Sequence, residues 1–168
     1  MSPPPPIASF ATPSPVPKDS LVSFPYPSIL LITLNRPRDL NCINSTGHAD
    51  LDTLFKWYDA EPTLLCAILT GGTSRAFCAG ADLKEWNTTN KSTSPCTPAR
   101  PPLPPSGFGG LSRRTGKKPV ICAVNGLCLG GGCEIIINAD MVIAEEQAVF
   151  ALPEVRIGVV AVAGALTR

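Results

Sequence analysis

Three consecutive glycines inside an apolar stretch constrain this chain more than any other feature. The stretch covers residues 124–140, VNGLCLGGGCEIIINAD, and runs through Gly130, Gly131 and Gly132 into a helix-like segment. Glycines before a helix permit tight backbone geometry and a close approach of a ligand, and the first-turn N–H groups point outward. Because a helix N-terminus carries partial positive charge, this segment favours negative charge that develops on a bound ligand.

Two glutamates accompany the glycines. Glu134 lies two residues after the last glycine, and Glu154 stands in VFALPEVRIG, twenty residues further on. Each acid is at the boundary of an apolar element, and a pair of such carboxyl groups can hold one water and move protons at neutral pH. For the first motif alone, a glycine-rich turn capped by a surface glutamate is the alternative interpretation.

Three segments carry a family resemblance. They are AFCAGADLKEW at residues 76–86, KPVICAVNGLCLGGGCE at residues 118–134 and FALPEVRIG at residues 150–158. Together they resemble the crotonase family, the enoyl-CoA hydratase/isomerase superfamily. The resemblance implies an α/β fold, the crotonase-like spiral of repeated ββα units, and an acyl-CoA substrate.

The resemblance also implies roles for individual residues. The backbone N–H groups of Ala81 and Gly131 are the implied donors to a thioester oxygen, and removal of one such donor costs roughly 3–4 kcal/mol in other enzymes. Glu134 is assigned to activating water and Glu154 to the proton at the α-carbon, although the two acids form a coupled pair. The implied substrate- and coenzyme A-binding residues are Arg38, Ala79, Gly80, Ala81, Asp82, Leu83, Lys84, Gly130 and Gly131.

Two of these binding residues have alternative interpretations. Arg38 follows the Asn-Arg-Pro turn of LNRPRDLN, where a solvated turn arginine is the alternative to a contact with coenzyme phosphates. Asp39 stands where family members usually have Ala. Asp82 precedes a helix-like segment, and we expect it to cap that helix rather than to react.

The activity implied by the resemblance is reversible hydration of a trans-2-enoyl-CoA to the 3-hydroxyacyl-CoA, as in fatty-acid β-oxidation. Two acids favour a hydratase, a carbon-oxygen lyase; double-bond isomerisation needs only one base and is the alternative. A non-catalytic acyl-CoA-binding subunit is a third interpretation. No metal or other cofactor is implied, because coenzyme A is part of the substrate. Full-length family members are homo-oligomers, trimers or hexamers.

Composition excludes several other classes of protein. A net charge of +1 gives no field that draws nucleic acid or an anionic membrane, and no apolar run is long enough for a membrane span. Seven cysteines without a Cys-x-x-Cys pair, and a single histidine, argue against a disulfide framework and a zinc site. We therefore expect an intracellular, reducing compartment, whether mitochondrial, peroxisomal or cytosolic. The histidine, His48, lies in a polar stretch and is expected to be solvated.

The hydrophobic pattern divides the chain into a leader and one core domain. Residues 1–27 are expected to form a flexible Pro-rich leader, and residues 28–168 the crotonase-like core. The predicted elements are strands at residues 28–34, 64–70, 120–124, 141–144 and 149–152, a helix at residues 47–59 and a buried helix after Glu134. The Pro-rich residues 87–118 are predicted to be a long mobile loop, either a lid or a disordered insert.

The resemblance covers the N-terminal core of the family fold, and the family's C-terminal helical region is missing from this sequence. A truncated product and an incomplete gene model are the two interpretations. Apolar surface near residues 158–166 is then expected to be exposed, so that the isolated chain oligomerises or aggregates. A clean monomer in sedimentation would contradict this expectation.

Overall fold

The computed structural model describes residues 9–91, 101–158 and 160–167, in two sheets and three α-helices. The strands are β1 (Ser20–Tyr26), β2 (Ile29–Leu34), β3 (Cys66–Thr70), β4 (Ala76–Cys78), β5 (Val120–Val124), β6 (Leu127–Leu129), β7 (Met141–Ala144) and β8 (Val149–Ala151). The helices are α1 (Ser45–Ala60), α2 (Leu83–Lys91) and α3 (Gly131–Ile137). The larger sheet has the order β1-β2-β3-β5-β7 and the smaller one β4-β6-β8. β1 is antiparallel to β2, and the other neighbouring strands are parallel.

The chain repeats one path through these two sheets. It runs through a strand of the larger sheet, then a strand of the smaller sheet, then a helix, as in β3-β4-α2 and β5-β6-α3. This is the predicted spiral of ββα units. Because β4 and β6 are parallel neighbours, their carboxyl ends meet at one edge of the smaller sheet. The loop after β4 and the glycines after β6 are therefore brought together.

The core forms where the periodicity of the sequence predicts it. In α1 the side chains of Leu51, Leu54, Phe55 and Tyr58 are buried at helical spacing, and alternate residues of β2 are buried. The Asn44 side chain caps α1 by accepting a hydrogen bond from the Gly47 N–H at 2.7 Å. The predicted helix and strands are thus confirmed, with α1 extending slightly beyond the predicted residues at both ends.

The predicted leader at residues 1–27 is wrong in its later part. Residues 20–26 form β1, and Pro25 lies at the irregular register between Ser23 and Tyr26 of this edge strand, where a missing N–H is tolerated. Further upstream, the Phe10 ring lies 5.3 Å from the Trp57 ring, centroid to centroid. The high proline content concealed a strand and a packed segment; residues 1–8 lie outside the described residues.

The mobile loop predicted for residues 87–118 is also wrong at both described ends. Helix α2 runs to residue 91, and Phe108–Gly110 form a short 3-10 helix whose residues are buried. Leu111 is buried beside it in the core. The sequence has no periodic signal that predicts burial of this segment, because a single aromatic side chain among glycines can be buried without any repeat. Residues 92–100 of the predicted loop lie outside the description.

Apolar side chains remain exposed on the last two strands. All residues of β7 and β8 are exposed, among them Ile143, Val149 and Phe150. The described residues 160–167 include further exposed apolar side chains, Val160, Val162 and Leu166. These exposed side chains fit the prediction that the isolated chain self-associates, which sedimentation would test. In the described part of the chain, no helix combines the length and the hydropathy needed to cross a bilayer.

Candidate active site

Two backbone amides converge at the edge of the smaller sheet. The loop after β4 brings Gly80 and Ala81 beside Gly131, the first residue of α3; a Cβ placed on Gly80 would lie 3.4 Å from the Gly131 nitrogen. Within the described residues, neither the Ala81 nor the Gly131 amide donates to a protein acceptor. Two such N–H groups, one of them at the start of a helix, can stabilise an oxygen that gains negative charge.

Both predicted catalytic acids lie at these glycines. Glu134 is in the first turn of α3 with only 4% of its surface exposed, and its Oε1 accepts the Ala165 N–H at 3.3 Å. Glu154 is partly buried in the 3-10 helix Pro153–Ile157. A Cβ placed on Gly130 would lie 2.7 Å from Glu154 Oε1. Its Oε2 is buried and has no hydrogen-bond partner within the described residues, so it can accept a bond from a ligand or donate one when protonated.

A pocket of about 470 Å³ contains these groups, a volume ordinary for a small-molecule site. It is lined by Ala79, Gly80, Ala81, Leu83, Trp86, Leu103, Phe108, Gly130, Gly131, Glu134, Pro153, Glu154, Arg156, Val160, Ala161, Val162 and Ala163. Glu134, Glu154 and Arg156 are its ionisable residues, and the other side chains are apolar except for the indole N–H of Trp86. The arrangement can hold a mostly apolar group with its reacting atoms beside two carboxyl groups.

The structure separates the predicted site residues into two groups. Those that line the pocket are Ala79, Gly80, Ala81, Leu83, Gly130, Gly131, Glu134 and Glu154. Arg38, Asp82 and Lys84 do not line it. Arg38 is exposed, and the Lys84 ammonium forms an ion pair with Asp39 at 2.6 Å. Asp39, the unusual residue of this turn, thus ties the turn to α2.

Asp82 has the capping role that the sequence indicated. One carboxylate oxygen accepts the Lys84 N–H at 3.0 Å and the Glu85 N–H at 3.3 Å, which caps α2, and the other pairs with Arg36 at 2.7 Å. Burial alone raises the pKa of Asp82, but the hydrogen bond from Arg36, its charge and the backbone donors outweigh burial. The pKa of Asp82 is therefore below its ordinary value.

Substituting Asp82→Asn is expected to destabilise the fold by about 1–3 kcal/mol at pH 7, because a charged hydrogen-bond acceptor is lost. A lowered folded-state pKa gives stability that is present above the unfolded value of about 3.9 and is lost as pH falls through the folded value. Urea unfolding of both proteins between pH 7 and pH 3 should show the difference shrinking with acidity. A constant difference would contradict the ion pair, and Glu146→Gln on an exposed turn is the control.

Sequence reasoning missed the pocket wall built by Phe108. Its ring packs against Gly131 so closely that a Cβ placed there would lie 2.4–2.6 Å from three ring carbons. His48, predicted to be solvated, is instead buried behind this ring. The one signal was an aromatic residue within GFGG at residues 107–110, since glycines allow a chain to approach its neighbours closely.

The Cys78 and Cys122 thiols are buried and stay protonated at neutral pH. Burial raises the pKa of Cys78 to about 12, and Cys78 lies behind the glycines, close to where a Cβ on Gly132 would be. Burial likewise raises the pKa of Cys122 to about 12. A thiol that stays protonated at neutral pH is neither a nucleophile nor a metal ligand. These cysteines serve as small core residues, as the sequence indicated.

Fold and site together define an α/β spiral domain with paired amide donors and two carboxylic acids in one apolar pocket. A family model described as enoyl-CoA hydratase/isomerase matches residues 25–168. The chain belongs to this family, and its crotonase-type fold is the predicted one.

Similar proteins agree with this assignment. A mevalonyl-coenzyme A hydratase of Beauveria bassiana is 55% identical over 163 residues, which are 95% of this chain and 58% of that protein. A mevalonyl-coenzyme A hydratase of Aspergillus fumigatus is 52% identical over 88% of this chain and 53% of its own length. The structure of a carnitinyl-CoA dehydratase from Mycobacterium avium 104 matches with a TM-score of 0.76 and 35% identity, over 89% of this chain and 56% of that one. The chain therefore spans slightly more than half the length of these relatives.

Proposed function

We propose that this chain carries the site of an enoyl-CoA hydratase, which adds water reversibly to the double bond of a 2-enoyl-CoA thioester. The observation that carries the proposal is the placement of Glu134 and Glu154 at Gly130 and Gly131, in one pocket with the Ala81 amide. Backbone donors and two acids are the groups that hydration of a thioester requires. The reaction requires no metal or redox cofactor, because coenzyme A enters as part of the substrate.

In the proposed mechanism the thioester oxygen accepts hydrogen bonds from the Ala81 and Gly131 N–H groups. These bonds draw electrons from the conjugated double bond and make the β-carbon electrophilic. Glu134, as a carboxylate, takes a proton from water while the water oxygen bonds to the β-carbon. Glu154, as a carboxylic acid, gives its proton to the α-carbon of the resulting enolate. The reverse sequence eliminates water from a 3-hydroxyacyl thioester.

The first substrate pair that we propose is mevalonyl-CoA and its dehydration product. The two relatives with more than half of their aligned residues identical are named as mevalonyl-coenzyme A hydratases. Mevalonyl-CoA is a 3-hydroxyacyl thioester with a methyl branch at C3 and a hydroxyl at C5, so its dehydration is the reverse of the hydration above. The apolar wall can contact the branch, and the Arg156 guanidinium can donate to the distal oxygen.

Two alternative functions, an isomerase and a non-catalytic subunit, would use the same site. An isomerase needs a single base, and Glu154, whose buried Oε2 has no hydrogen-bond partner within the described residues, can be that base. A non-catalytic acyl-CoA-binding subunit would keep the pocket without turnover. We further propose that the protein works as a homo-oligomer in a reducing compartment, with Arg38 as a contact for coenzyme phosphates.

The test is turnover by the purified chain with mevalonyl-CoA and, separately, with crotonyl-CoA. Appearance of enoyl-thioester absorbance from mevalonyl-CoA, and its loss from crotonyl-CoA, is the expected result. A faster rate with mevalonyl-CoA supports the substrate assignment. Migration of a double bond without uptake of water, seen by NMR, would replace the hydratase with an isomerase. Binding of both thioesters without any turnover would support the non-catalytic acyl-CoA-binding subunit.

A further inference from the structure

The Phe108 ring lies between a buried histidine and the helix start that contributes to the site. On one side the ring meets His48 of α1 edge-on, with 4.5 Å between ring centroids. On the other side it covers Gly131, where a Cβ would collide with the ring. Phe108 also lines the pocket. A displacement of this ring would therefore change the position of the Gly131 amide.

A hydrogen bond fixes the segment that carries this ring. His48 Nδ1 accepts the Gly109 N–H at 3.0 Å, and both groups are buried. An acceptor nitrogen has no proton, so the imidazole is neutral with its proton on Nε2. Without this acceptor, the Gly109 N–H would be left unsatisfied in a buried position, which a folded chain avoids by shifting the segment.

Close packing leaves the segment little freedom to compensate. Gly109 has a φ of +60°, and a Cβ on it would lie 2.8 Å from Ile135 Cδ1 of α3. The Phe108 N–H is held by the Ser112 hydroxyl at 2.7 Å. The 3-10 helix thus packs between α1 and α3, and its position is set by contacts with both helices. A change at His48 is transmitted to α3 because densely packed interiors move as units.

We propose that His48 is a positioning residue for the Gly131 amide, which it holds in place through the Gly109 hydrogen bond and the Phe108 ring. The inference rests on the proposed function, in which the Gly131 N–H polarises the thioester. His48 does not line the pocket. Its role is to keep the ring pressed against the helix start, so that the N–H points at the substrate oxygen before the substrate arrives.

The test compares two substitutions of His48. His48→Leu introduces an apolar side chain of similar reach that has no acceptor, and His48→Asn places its side-chain oxygen near the position of Nδ1. We expect kcat to fall about 10- to 100-fold in His48→Leu with KM changed much less, because misplacing an oxyanion donor acts on the transition state. His48→Asn should restore most of the rate. Equal rates in the two variants would overturn the proposal.

A second readout does not need turnover. The infrared C=O stretch of carbonyl-¹³C butyryl-CoA, a saturated thioester that cannot be hydrated, should move to lower frequency on binding to the wild-type chain. The shift should be smaller in His48→Leu and nearly restored in His48→Asn. A full shift in His48→Leu would overturn the positioning role and leave the hydratase intact. Absence of a shift in bound wild type would overturn the oxyanion site itself, and this role with it.

Two further variants separate positioning from general loss of stability. Tyr58→Phe removes the hydrogen bond of 2.8 Å that the Tyr58 hydroxyl, on the same helix, donates to the Pro119 carbonyl. This bond lies outside the pocket, so the variant is expected to keep the wild-type C=O shift. Should His48→Leu fail to fold, His48→Gln replaces it, since its amide reaches the position of Nε2 rather than that of Nδ1. We then expect the smaller shift in His48→Gln, and a wild-type shift there would overturn the proposal.

Discussion

Glu134→Gln is expected to lower kcat for hydration by about 10²- to 10⁴-fold, the usual contribution of a positioned general base. The amide side chain is almost the same size, and its oxygen can still accept the Ala165 N–H that Glu134 Oε1 accepts now. It cannot take a proton from water. Binding of the thioester should therefore change little, while the chemical step is lost.

The measurement is enoyl-thioester absorbance under saturating substrate, with thioester affinity determined separately by calorimetry. Glu146→Gln is the matched control, because Glu146 is an exposed acid on the turn between β7 and β8. Its rate should equal that of the wild type. A Glu134→Gln protein with unchanged turnover would show that the buried carboxyl group is structural and that the water is activated elsewhere.

Gly131→Ala is expected to lower kcat about 10²- to 10³-fold, as loss of one oxyanion donor does in other enzymes. The added methyl group would lie 2.4–2.6 Å from three ring carbons of Phe108, far inside the ordinary carbon–carbon contact of about 3.5–4.0 Å. Either the ring or the start of α3 must move. Overpacking of this kind also costs about 1–3 kcal/mol of folding stability, measurable by urea unfolding.

The double variant Gly131→Ala/Phe108→Leu tests the cause of this effect. Leucine lacks the three ring carbons that collide with the methyl group, so the double variant should be as active as Phe108→Leu alone. Such non-additivity indicates direct contact. Gly158→Ala is the control glycine: its φ is +70°, but a Cβ there has no atom within 4 Å in the described structure. A double variant as impaired as the product of the single effects would show that Gly131 acts independently of the ring.

Several parts of the fold and site were predictable because their signals are local in sequence. The glycines before α3 and the acids Glu134 and Glu154 stand at element boundaries that apolar runs mark out. The cap at Asp82 follows from a short acidic side chain before a helix. Strands β2, β3 and β5 follow from short apolar runs. Each of these depends on residues a few positions apart.

Other parts were missed because proline and glycine suppress the patterns on which prediction depends. β1 contains Pro25, which sequence reasoning assigned to a flexible leader, yet an edge strand tolerates it. The Phe108 segment lies in a Pro-rich stretch with no periodicity, and its burial depends on contacts with α1 and α3. Composition shows that a segment lacks a periodic pattern, but whether the segment is buried depends on the other elements that pack against it.

The sequence by itself determined the class of fold and the glycine-rich helix start, and it predicted the two acids that line the pocket, because backbone freedom and side-chain chemistry belong to individual residues. Only the tertiary structure decided that His48 lies behind Phe108, since its partner Gly109 is 61 residues away. It also decided which implied binding residues line the pocket and that Ala165 contacts Glu134. Such pairings depend on how two helices and a turn pack together, and contacts between residues far apart in the chain produce no regular spacing in the sequence.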